Sequence, residues 1–132
     1  MIWLPDSDIV NYIIRKREPT VSQYRELVAE GDSFYLAAVV HFEVTRHLLL
    51  KGSKRLLREY KELVATWYEI SLSWADWNTA ATLWESRHRA GRPIEDPDLL
   101  IAVCALKAGA TLVTNNVRHF VDLGLEIANW AA

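Results

Sequence analysis

Apolar and polar positions alternate along this chain between two rhythms. MIWLP at 1–5, SFYLAAVV at 33–40 and TLVT at 111–114 are nearly unbroken apolar runs of strand length. Such runs suit strands buried on both faces of a sheet. Between them, apolar residues recur at helical spacing. Ile9, Tyr12 and Ile13 form a stripe on a helix predicted from Ser7 to about Lys16, and Val21, Tyr24, Leu27 and Val28 form one on a helix that Pro19 opens and Gly31 stops. Val40, Val44 and Leu48 mark a helix ending at Gly52, and Leu56, Leu57, Tyr60, Leu63 and Val64 a longer one from Ser53 to about Trp67.

Further on, YEISL at 68–72 reads as a short third strand, followed by a helix from Ala75 to Ala90 that Gly91 ends. Pro93 and Pro97 bracket a turn into a helix from about Asp98 to Ala108, closed by Gly109. After TLVT comes a last short strand near 125–128. Strands and helices alternating in this way predict an α/β fold with a mainly parallel central sheet covered on both faces. The 132 residues contain no repeat, low-complexity tract or composition break, so a single domain over 1–132 is expected.

Composition narrows the setting more than the activity. The lone Cys104 excludes an intrachain disulfide and fits a reducing, cytoplasmic compartment. Asp6 and Asp8 interrupt the amino terminus too early for a secretory signal, and the run LLIAVCAL at 99–106 is far shorter than a membrane span, so no membrane role is expected. Net charge is −2, which supplies no global attraction for nucleic acid. Basic residues are clustered, however. Lys54, Arg58 and Lys61 share one helix face and read as a solvated surface, whereas Arg87, His88, Arg89 and Arg92 lead straight into the acidic segment around Asp98. Trp74, Trp77 and Trp84, at i, i+3 and i+10, are expected in the core or a subunit contact rather than as base-stacking platforms.

Three acids recur where an α/β sheet presents side chains to its ligand crevice: Asp6 after the first strand, Glu43 on the helix after the second, and Asp98 opening a late helix. Each has a plain explanation when taken singly. Asp6 and Asp98 can cap helices, and Glu43 can pair with Arg46 on the helix surface. Asp8 is equally well explained by the dipole of the helix it begins. Taken together, carboxylates converging from distant segments call for a divalent cation such as Mg²⁺. TLVT ends in Asn115 and Asn116, with Arg118 and His119 following. Asn116 could cap a short helix or orient water at a cation.

With PDSDI near the amino terminus, Glu43 after strand two, DLLIAVCALKAGATLVTNN followed by RHF, and a closing Asn129-Trp130, the whole chain resembles the PIN-domain ribonucleases. The closest likeness is to the VapC type, toxins of toxin–antitoxin pairs. The resemblance implies a three-layer α/β/α PIN-like fold and a Mg²⁺-dependent endoribonuclease, with Mn²⁺ as a substitute, acting on structured RNA such as tRNA. It implies Asp6, Glu43 and Asp98 as metal-holding catalytic acids and Asn116 as a fourth catalytic position, where many members carry an Asp. His119 stands where many have another acid. It also implies a cognate antitoxin partner and a homodimer. Rim cations must attract RNA to such an acidic pocket, and Arg92 and Arg118, with Arg87 and Arg89, are the candidates.

Two other readings compete. One is a PIN-fold module that binds RNA or protein without catalysis, for which Asn116 would mark a lost acid. The other is a phosphatase or receiver-type phosphotransfer protein, disfavoured because no Lys follows TLVT.

Overall fold

A computed structural model describes residues 1–132. Its centre is a five-stranded sheet built from β1 (Ile2–Pro5), β2 (Ser33–Ala37), β3 (Tyr68–Ile70), β4 (Thr111–Val113) and β5 (Ile127–Ala128). They lie in the order β3-β2-β1-β4-β5, and all four neighbouring pairs run parallel. The helices are α1 (Ser7–Ile14), α2 (Thr20–Ala29), α3 (Ala38–Lys51), α4 (Lys54–Val64), α5 (Trp74–Arg89) and α6 (Asp96–Ala108), with a 3-10 turn at Val117–Phe120. Together they complete the three-layer α/β/α architecture. α1 packs on α2, α3 and α4, while α5 packs on α6. No helix is long and apolar enough to cross a membrane.

The chain leaves β1 toward β2 and β3, then crosses back to place β4 on the opposite flank of β1. The crevice between the carboxyl ends of β1 and β4 is therefore the topological switch point, where open α/β sheets bind ligands. One continuous core underlies it. Leu4, Val113 and Leu112 from the strands pack with Ile9, Val10, Val40, Ile101 and Ala102 from the helices, all fully buried. Pro5 sits at the last position of a central strand and lacks an amide hydrogen, yet the ladder resumes at once: the Asp6 amide donates to the Val113 carbonyl at 2.8 Å.

Several boundaries differ from the sequence expectation. The run at 33–40 is strand only to Ala37, and Ala38–Val40 already belong to α3. Burial of Val40, Val44 and Leu48 along one helical face outweighs the β preference of the two valines. α1 stops at Ile14, and Lys16 takes a positive φ, so Arg15, Lys16 and Arg17 lie just beyond the helix; Arg17 folds back over the Tyr12 ring, 4.3 Å from its centroid. α4 ends at Val64, leaving Trp67 buried beyond it with its indole N–H donating to the Tyr24 hydroxyl at 3.0 Å. Val28, expected inward, is exposed.

Trp74, Trp77 and Trp84 are likewise exposed rather than in the core. α5 buries only Ala80 and Arg87, so its packing stripe is made of a small residue and a cation, and the indoles are left beside it, Trp77 and Trp84 together lining a surface cleft with Leu99 and Leu100. The helix begins at Trp74, fixed by a capping box in which Ser73 and Asp76 bond reciprocally. α6 starts two residues before Asp98, with Glu95 at the N-cap and Pro97 in the first turn, because proline fits where no intrahelical amide bond is needed. Asp98 is therefore inside the first turn and is not the cap.

Candidate active site

Asp6 emerges from β1 directly into α1 and caps it, its Oδ1 accepting from the Ser7 amide at 2.7 Å. The other carboxylate oxygen accepts from the Thr114 hydroxyl at 2.9 Å. Both residues are buried. Thr114 also accepts from the Asn116 amide at 3.0 Å, so one hydroxyl joins the end of β1 to the turn after β4. Asp8 makes a parallel link one helical step on: Oδ1 accepts from the Ile9 amide at 2.7 Å and Oδ2 from the Asn115 amide at 3.1 Å.

Electrostatics show which acids have been brought together. Burial pushes the Asp6 carboxyl up to about 7, with Asp8 and Asp98 adding to the rise and the bonds from Thr114 and Ser7 opposing it. Asp8 is raised chiefly by burial and also by Asp98, against the pull of the Asn115 and Ile9 amides. Glu43 is raised by burial too, with Asp98 and Asp8 adding and Ser7 and Arg46 opposing. Asp6 and Glu43 thus each lie in the fields of Asp8 and Asp98, which link the set. No Lys or Arg forms an ion pair with any of the four. Glu43 in particular makes no ion pair with Arg46, whose guanidinium packs over the Phe42 ring instead.

Four hard oxygen donors, none of them paired with a Lys or Arg and three of them (Asp6, Asp8 and Glu43) with raised proton affinity, have the chemistry of a Mg²⁺ or Mn²⁺ site. They do not form a closed shell, since no group of three or more His, Cys, Asp or Glu side chains stands where it could hold an ion without rearrangement. Asp98 is turned toward His119, whose Nδ1 lies 2.9 Å from Oδ2. That contact takes one carboxylate oxygen away from the cluster. The donor set fits a hard divalent ion in kind, and a rotation of Asp98 is the movement the set most obviously lacks.

The remaining expected residues separate by environment. Asn116 is exposed at the start of the 3-10 turn, and its side chain makes no capping bond, so the helix-cap explanation does not apply. Arg118 is exposed beside Asp98 and His119. Arg92 is drawn off the rim by an ion pair with Asp122, and Arg89 pairs with Glu85 at 3.7 Å. Arg87 is not a rim residue: it is buried, donating from Nε to the Arg92 carbonyl at 2.8 Å and from Nη1 to the Val121 carbonyl.

Two contributors went unassigned in the sequence. Asp8 was left with a dipole role, although its i+2 spacing from Asp6 in the opening turn was the available signal. Thr114 was read only as the end of a strand; nothing local marks a threonine whose partner lies at the other end of the chain.

The chain also has relatives among known proteins. A family model described as PIN domain matches residues 4–124. The chain is 28% identical to Ribonuclease VapC1 of Haemophilus influenzae strain R2866, an alignment covering 91% of this chain and 90% of that protein. It is also 28% identical to Ribonuclease VapC2 of Rickettsia felis over 98% of each. Among solved structures it is similar to VapBC2 from Rickettsia felis bound to a DNA fragment from their promoter, with a TM-score of 0.83, 26% identity, and 98% and 99% of the two chains covered.

Proposed function

Because the chain belongs to the PIN domain family, we propose that it is a Mg²⁺- or Mn²⁺-dependent endoribonuclease, the toxin of a toxin–antitoxin pair that cuts structured RNA, with tRNA as the leading substrate. The observation that carries this reading is the Asp6 carboxyl, held near 7 in the field of Asp8 and Asp98, which also act on Glu43, with no Lys or Arg paired to any of the four. Burying like charges together is unfavourable unless a bound cation offsets it.

Asp6, Glu43 and Asp98 would hold the ion, with Asp8 at hand as a further oxygen donor. The ion, when bound, would offset charge on the scissile phosphate and make an attacking water more acidic. The chain's own residues do the positioning. Thr114 and the Ser7 amide fix both oxygens of Asp6, so its carboxylate cannot swing away. The Asn115 amide does the same for Asp8. His119 sets the orientation of Asp98 and releases an oxygen when it turns. Asn116, whose side chain is exposed and not spent on capping, is available to orient water or a phosphate oxygen with an uncharged amide. An antitoxin partner fits the likeness to VapBC assemblies, and a homodimer fits the exposed Trp74, Trp77 and Trp84.

A second reading is a PIN-fold module that binds RNA or protein without cutting. It is favoured by the open carboxylate set and by an amide at Asn116. One experiment separates the two: RNA incubated with the protein and Mn²⁺, followed by sequencing of new 5′ ends. Cleavage that disappears in Asp6→Asn and in Asp98→Asn establishes the nuclease and names its RNA. Cleavage that persists in both variants, or none with any cation, sinks it.

A further inference from the structure

Sharing Asp98 with the carboxylate cluster is a polar cleft of about 230 Å³, lined also by His119, Arg87, Arg118 and Glu95. Arg87 is the unusual member. It is only 9% exposed, and its two hydrogen bonds go to backbone carbonyls, which carry no net charge. The arginine ion pairs of this chain engage Arg55, Arg89 and Arg92, but neither Arg87 nor Arg118. Asp122 feels the charge of Arg87, yet it is bonded to Arg92. A buried guanidinium whose one opposite charge is shared with another arginine and makes no direct pair with it is costly, and an anion entering the cleft would supply a direct partner.

The other walls suit the same ligand. Arg118 presents an exposed fork of donors that matches a phosphate. His119 contacts Asp98 through Nδ1, and its side chain is 57% exposed, which leaves the opposite ring edge open. Of the two acids, Asp98 is already engaged by His119, and Glu95 is exposed, where solvent screens it.

We propose that this cleft seats a phosphodiester of the RNA strand neighbouring the one to be cut, gripped by Arg118 and His119 over the buried charge of Arg87. The assignment rests on the ribonuclease reading for the identity of the strand. It also replaces Arg92, which its bond to Asp122 removes from the rim, by Arg118 and Arg87 as the cations that orient the substrate. Sharing Asp98 between the cleft and the carboxylates couples strand placement to the metal-holding acids.

The test uses the full chain and a short 2′-O-methyl oligoribonucleotide of mixed sequence, with EDTA present to prevent cleavage. Affinity is read by fluorescence anisotropy across a salt series, and folding of each variant by thermal melt. Loss of one phosphate contact to a single strand flattens the log–log salt slope by about 0.7. Arg118→Ala is expected to show that flattening with severalfold weaker binding, Arg118→Lys to keep the slope, and Arg55→Ala, on α4 outside the cleft, to change neither. Arg87→Gln, where it folds, should reproduce Arg118→Ala. The proposal is overturned if wild type does not bind, if Arg118→Ala leaves the slope unchanged, or if Arg55→Ala lowers it equally, which would indicate a diffuse basic surface. It is also overturned if inorganic phosphate binds with Arg118 dependence while the oligonucleotide does not. Failure of the broader reading looks different. An oligonucleotide bound with the Arg118 signature, beside unmodified RNA left uncut in Mn²⁺, removes the nuclease and keeps the site.

Discussion

Thr114 donates its hydroxyl to Asp6 at 2.9 Å across 108 residues of sequence, between two side chains that are both buried. The bond crosses the switch point of the sheet and holds the carboxylate that burial most strongly destabilises. Thr114→Val keeps the shape and removes the donor. A lost bond to a charged or partly charged buried acceptor costs about 1.5–3 kcal/mol. Denaturant unfolding near pH 8 should show that loss, whereas near pH 4, with Asp6 protonated in the folded protein, the loss should shrink. A cost independent of pH would mean that the hydroxyl matters for packing alone.

Asp6 also makes stability depend on pH. Its carboxyl stands near 7 in the folded chain against 3.8 for the free side chain, so between those values the folded state binds more protons than the unfolded one. Stability contributed by this group is therefore full below about pH 4 and is lost as pH rises toward 7, on the order of 4 kcal/mol in all. In EDTA, Asp6→Asn should raise Tm at pH 8 and change it little at pH 4. A variant less stable than wild type at pH 8 would contradict the raised carboxyl.

A cation at the cluster should reverse that trend. Mn²⁺ or Mg²⁺ binding must displace the proton of Asp6, which at pH 7 is present in about half the molecules given a carboxyl at about 7. Calorimetric titration in two buffers of different ionisation enthalpy should therefore register release of roughly half a proton per ion at pH 7 and much less at pH 8.5. Equal heats in the two buffers at pH 7 would place the ion elsewhere.

His119 is expected to act on Asp98 by positioning. His119→Ala removes the 2.9 Å contact and leaves the carboxylate free to rotate. Second partners of metal-holding groups commonly alter ion affinity by about 10–100-fold. The readout is the Mn²⁺ concentration giving half-maximal RNA cleavage, compared with cleavage at saturating Mn²⁺. A half-maximal Mn²⁺ concentration unchanged from wild type would remove His119 from the support of Asp98 and leave it only the contact with the RNA strand.

Much of the architecture was legible along the chain. Unbroken apolar runs announced the buried strands, helical spacing announced the helices, and the order of strand and helix announced a parallel sheet. Where boundaries slipped, two local preferences competed. Val39 and Val40 favour a strand by shape, but Val40, Val44 and Leu48 gain more by facing the core together. The tryptophans of α5 misled because i+3 spacing reports that residues share a face without reporting which way the face points. Ala80 and Arg87 took the inward side.

Asp6, Glu43 and Asp98 stand out as candidates in the sequence because each lies at a strand end or within the first two turns of a helix, where chain direction in a parallel sheet carries side chains to one rim. Their mutual repulsion, the addition of Asp8, and the retention of Asp98 by His119 depend on distances between segments that sequence order does not contain. The same holds for the arginines. Four of them flank the acids in sequence, and only packing distinguishes Arg92, which meets Asp122, from Arg118, which meets nothing, and from Arg87, which is enclosed. Local periodicity and turn chemistry depend on neighbours a few residues away, so the sequence by itself determined the elements and the candidate acids. Burial and charge pairing depend on which remote segments meet, so the tertiary structure alone decided that Asp98 both acts on a carboxyl near 7 and lines a cleft holding a buried guanidinium.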